Sequence, residues 1–155
     1  MKSLAHTKDK ESILKRLEQL QPNAQPRWGQ MNANQMLCHL SDSFKSVMGE
    51  KAVKAKITLL QRTLIKWIAL YFPVPWPKGV ATMPENDQTI GGTKPTTFEA
   101  DRRELEELIA RFSARDRHLT WSSHPAMGPL SEKEWQRWGY LHVDHHLRQF
   151  GLVNC

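Results

Sequence analysis

The chain has 155 residues, 39% of them hydrophobic and 25% charged, with a net charge of +6. That length and balance fit one globular domain with one core, and they exclude a disordered chain. The basic residues are scattered, without a run of five or six Lys/Arg or an aromatic–basic pattern, so the charge reads as solvated surface and nucleic acid as the weakest partner class.

The opening stretch, MKSLAHTKDKES, lacks the apolar centre of a signal peptide. From about residue 7, Ile13, Leu14, Leu17 and Leu20 recur at helical spacing until Pro22 ends the pattern. A second helix starts near Asn32 or Asn34, carries Met36, Leu37, Leu40, Phe44 and Val47, and stops at Gly49. Cys38 and Cys155 form no CxxC and no disulfide framework, which suits a reducing cytoplasm. Cys38 reads as a small buried hydrophobe rather than a nucleophile.

The most apolar stretch, ITLLQRTLIKWIALYF, holds Gln61, Arg62 and Lys66, so it reads as an amphipathic helix and not a membrane span. Its predicted limits are Lys54 and Phe72, before Pro73, and its predicted inward face is Leu60, Leu64, Trp67, Ile68 and Tyr71. Residues 73–95 hold five Pro and three Gly and form a long crossover, of the kind that often serves as a lid. Trp76 there, and Trp28 before the second helix, read either as lid residues or as anchors. A capping box from Thr96 to Glu99 opens a fourth helix with Leu105, Leu108, Ile109 and Phe112. A second connection, over 114–130, holds His118, Trp121 and His124. A second capping box, Ser131 to Glu134, opens the last helix, which Gly151 stops. No segment alternates as a strand, so the expected fold is an all-α bundle, a single domain over 1–155, with four or five helices and long crossover loops.

The last helix holds His142, His145 and His146. Residues four apart lie about 40° apart around a helix and about 6 Å along it, so His142 and His146 share a face. Trp135, Trp138 and Gly139 lie on or near that face, which makes it the inward one. Asp144 falls on the surface, and His145 at the rim. Two buried imidazoles need partners, and a shared cation satisfies both at once; hydrogen bonds to backbone or Tyr are the alternative. His39, at the edge of the second helix's apolar stripe, is the candidate third ligand. Three nitrogens leave a position open, as in catalytic sites. His124, in the loop entering the last helix, is a candidate general acid/base or substrate contact, or simply a loop histidine. Asp42, one turn from His39, is poorly placed to orient it.

The segment HLSD at His39–Asp42 and the terminal HxxxH resemble the DinB/YfiT-like superfamily, and the resemblance covers nearly the whole chain. The run from His124 to Gly151 is similar to a branch of uncharacterised bacterial domains. The resemblance implies a four-helix bundle, often dimeric, with His39, His142 and His146 binding a divalent metal, zinc or nickel. It also implies a small-molecule substrate and either hydrolysis or transfer to a low-molecular-weight thiol. A non-catalytic, metal-stabilised binding module is the other reading.

Overall fold

Asn32 shows how locally the helices are specified: its side chain accepts from the Gln35 N–H while the Gln35 side chain accepts from the Asn32 N–H. This reciprocal cap satisfies two donors that a helix start leaves bare. It opens α2, Ala33–Val47, the second of five helices in the computed structural model, which describes residues 1–54, 59–72, 74–114 and 120–153. The others are α1 Thr7–Glu18, α3 Leu59–Tyr71, α4 Phe98–Ser113 and α5 Glu132–Gln149, with a 3-10 turn at Pro84–Asn86. Among the described residues there is no strand, only one isolated bridge between His124 and Gly128. The all-α expectation holds, and the arrangement is consistent with a bundle. Pro73, His118, Cys155 and the side chain of Leu60 lie outside the described residues.

Ser131 caps α5 in the predicted box with Glu134. At α4 the cap is Thr97, whose hydroxyl accepts from Ala100, and not Thr96. Thr96 is held instead by buried Asp101, which accepts from its N–H at 2.8 Å and from its hydroxyl at 2.7 Å. Glu99 points to solvent, so the shorter acid one turn inside the helix does the work expected of it.

Helix α2 packs on α4 and α5, while α1 and α3 also pack on α5. Every predicted core residue of α2 and α4 is buried, as are Ile13, Leu17 and Leu20 of the first segment. Phe44 sets its ring edge-on to Phe112 at 4.8 Å and to Trp138 at 5.9 Å, joining α2, α4 and α5. No helix among the described residues is long and apolar enough to cross a membrane.

Helix α3 reverses the expectation. Leu64, Trp67, Ile68 and Tyr71 face outward, Leu64 and Trp67 at 64% and 59% exposure, while Leu70 is buried and Ile65 and Ala69 pack against the core. Apolar residues line both faces of this helix, so periodicity alone does not identify the inner one. Ion pairing turns it: Lys66 meets Glu134 of α5 at 2.8 Å, and the Tyr71 hydroxyl donates to the same carboxylate.

At Gly139, α5 leaves no room for a side chain. A Cβ there would lie 2.8 Å from Leu4 Cδ1 and from Phe112 Cε1. Gly139→Ala would gain about 1 kcal/mol of helix propensity, against roughly 1–3 kcal/mol for forcing a methyl into a filled space. Net destabilisation is expected, measured as a lower denaturation midpoint with an unchanged denaturant slope. A gain in stability would mean that the interface is looser than described.

Candidate metal centre

His39 of α2 and His142 and His146 of α5 come together, with one potential ligand atom from each lying within 4.8 Å of the others. Their ring centroids are 4.7 to 5.3 Å apart. His39 and His146 are buried and His142 half-buried. Burial lowers the pKa of all three, and the proximity of the other imidazoles lowers His142 and His146 further. The rings are therefore neutral near pH 7, the state in which imidazole is a ligand.

Hydrogen bonds fix two of the tautomers. His39 Nδ1 lies 2.9 Å from the carbonyl oxygen of Asn86, which can only accept, so Nδ1 carries the proton. His146 Nδ1 lies 2.9 Å from Gln149 Oε1, and the orientation of that amide is set because Gln149 Nε2 donates to the Trp28 carbonyl at 2.7 Å. Both rings therefore present a bare Nε2. His142 Nε2 lies 3.3 Å from His39 Nε2, while His142 Nδ1 is buried with no hydrogen-bond partner among the described residues.

Without a cation this arrangement is poor. Either His142 donates to His39 and leaves its own Nδ1 an orphaned acceptor, or two lone pairs face each other. Two nitrogens at about 2.05 Å from one zinc at the tetrahedral angle are about 3.3 Å apart, the spacing of the His39–His142 pair. The donor set thus fits a divalent metal and could hold one.

The crossover supplies the Asn86 carbonyl, and Asp42 pins the crossover. The fully buried Asp42 carboxylate accepts from Thr93 N–H at 2.8 Å, from Thr93 Oγ1 at 2.7 Å and from Gln88 Nε2 at 3.3 Å, and pairs with Lys51 at 2.7 Å. The Asn86 side chain also bonds Ser46 and Ser43 of α2. Asp42 therefore orients His39 through a loop rather than through its own helix, a role the sequence hid.

Of the other residues, Asp144 departs from expectation and Cys38 follows it. Trp135 and Trp138 are buried, as their place on the inward face implies, and the Trp138 ring lies 4.9 Å from that of His142. The tryptophans at the site's edge are Trp76, 5.8 Å from His142, and Trp28, which faces His145 at the same distance. Trp76 is tethered by its indole N–H to the Ala69 carbonyl, and half-buried His145 sits between the two tryptophans. Asp144 is no surface acid: it takes Arg16 at 2.6 Å and Arg148 at 2.7 Å. Cys38 is buried, and burial, aided by Asp101, pushes its thiol up to about 12, so it is inert. His124 Nδ1 accepts from the Ala126 and Met127 N–H groups, its ring lies against Trp135 and Trp138, and burial lowers its pKa to about 4.

The chain belongs to a family described as a protein of unknown function, DUF1569, whose model matches residues 1–152. No curated protein and no solved structure matches it.

Burial alone would raise the Asp42 carboxyl, but the bonds from Lys51 and Thr93 outweigh it and hold the group below its usual value. Its contribution to stability is complete above the unfolded carboxyl pKa, about 3.9, and is lost as pH falls through the lower folded value. Asp42→Asn is expected to cost roughly 3 kcal/mol at neutral pH by leaving Lys51 unpaired. It should also flatten the loss of stability between about pH 4 and pH 2, seen in urea unfolding across pH. An unchanged acid limb would show that Asp42 does not carry this linkage.

Proposed function

We propose that this protein is a metal-dependent enzyme. His39, His142 and His146 bind one divalent cation, zinc or nickel, and leave a position open to a small-molecule substrate. Transfer to a low-molecular-weight thiol or hydrolysis is the reaction. The observation that carries this reading is the donor set: three convergent imidazoles, two with their outer nitrogens tied to acceptors and the third with an orphaned nitrogen. A divalent cation at an open three-nitrogen site supplies Lewis acidity and a nucleophile near neutral pH. The HLSD segment and terminal HxxxH, by which the chain resembles the DinB/YfiT-like superfamily, support the same reading.

The chain's own residues do the rest. Asn86 and Gln149 hold two ligands in one tautomer, and Trp28 and Trp76 form apolar walls near His142 and His145. A catalytic part for His124 is restricted to hydrogen-bond donation from Nε2, because Nδ1 is already engaged and the ring is neutral. Unpaired, buried Cys38 agrees with a cytoplasmic setting.

Purified protein is expected to carry about one divalent ion per chain, and His142→Ala to lose it while keeping its helical circular dichroism. Retention of metal by that variant would sink the ligand assignment. Stability that falls on chelation, with no turnover of thiol-acceptor or ester substrates by the loaded protein, would leave a metal-stabilised binding module instead.

The outward apolar stripe of Leu64, Trp67, Ile68 and Tyr71 supports a homodimer through α3. Sedimentation of Ile68→Glu should then give a monomer and the parent protein a dimer. A monomeric parent would remove this element of the reading.

A further inference from the structure

The Gln149 side chain is buried and both ends of its amide are committed. Oε1 accepts from His146 Nδ1 at 2.9 Å and Nε2 donates to the Trp28 carbonyl at 2.7 Å. The Gln149 backbone carbonyl accepts from the Arg27 N–H, also at 2.7 Å. Gly29 lies directly over the amide: a Cβ there would sit 2.7 Å from Gln149 Nε2, and the residue's φ of +77° is one that L side chains rarely adopt. The same loop sets the Trp28 ring against His145 at 5.8 Å, and the Lys78 ammonium caps that ring at 4.6 Å.

We infer that Gln149 is a positioning residue that couples cation binding at His146 to the seating of the loop carrying Trp28. The inference rests on the three-histidine reading above. Only the tautomer with hydrogen on Nδ1 offers a lone pair at Nε2, and an acceptor at Oε1 selects it. The amide can present that acceptor only while its NH2 end is held by the Trp28 carbonyl. Rotation by half a turn would set NH2 against an N–H donor and leave a carbonyl facing a carbonyl. The loop's position and the ligand's tautomer are thus two ends of one planar group. A cation that favours the tautomer favours the seated loop, and the reverse holds by linkage. Trp28 is one wall of the site, so loading the cation also closes that wall.

Zinc affinity, measured by competition with a chromophoric chelator, tests this in four proteins: the parent, Gln149→Met, Gln149→Glu and Gly29→Ala. Gln149→Met keeps the shape and removes the acceptor, and should weaken zinc binding roughly 10–100-fold. Gln149→Glu keeps an acceptor for His146 Nδ1 but loses the NH2 that holds the Trp28 carbonyl, so it should bind no more than about threefold weaker than the parent while the loop at 27–29 loses its zinc-dependent protection. Gly29→Ala touches no ligand, yet should weaken binding about tenfold by displacing the amide. Zinc should also slow hydrogen exchange at residues 27–29 in the parent and not in Gln149→Met. Parent-like affinity in Gln149→Met would overturn the inference. So would equal losses in the Met and Glu variants, which would mark a packing role only. A parent that binds no zinc at all would instead sink the three-histidine reading, and this inference with it.

Discussion

Three neutral imidazoles packed against one another, two of them buried and one half-buried, form the constraint on which the rest of the structure turns. A buried polar nitrogen without a partner costs about 1–3 kcal/mol, so each ring must be answered from outside the cluster or by something within it. Two outer nitrogens are answered, by the Asn86 carbonyl and the Gln149 amide. These two partners come from different segments of the chain. The first belongs to the long crossover, the second to the end of α5 and, through it, to the loop before α2. Phe44, Phe112 and Trp138 pack against one another, and the Trp138 ring reaches His142.

The polar supports are themselves supported. Asp42 has no exposure and gathers Lys51, Thr93 and Gln88, so the crossover is fastened to α2 on the same helix that carries His39. A carboxylate in that position is stable only because both of its oxygens have donors, Thr93 and Gln88 from about fifty positions away along the chain and Lys51 from nearby. The HLSD segment therefore holds two functions one turn apart, with the histidine facing the cluster and the aspartate holding the loop that aims it.

Much of this was legible in the sequence. The stripes of α1, α2, α4 and α5 lie on single faces, so period alone found them, and His39, His142 and His146 stood at core-facing positions. Helix α3 departs from the periodicity because Leu64, Trp67, Ile68 and Tyr71 make as good a stripe as Ile65, Ala69 and Leu70, while Lys66 and Tyr71 both meet Glu134 of α5. Asp144 had a readable partner, Arg148 four residues on, but Arg16 is 128 residues away and leaves no local trace. Gln149 stands three residues after His146, a spacing at which helix side chains meet, so its contact was within reach of the pattern. The Asn86 contact was not, because it is made by a backbone carbonyl, which every residue possesses.

The His39–His142 contact joins residues 103 positions apart. Closing so long a loop has an entropic cost, and local helix formation does nothing to lower it. Each helix can form early on its own periodicity, and α5 alone then brings His142 and His146 together, but the three-imidazole cluster exists only once α2 has docked. The cluster is thus a marker of completed folding, present only when the first-made and last-made halves of the chain have met.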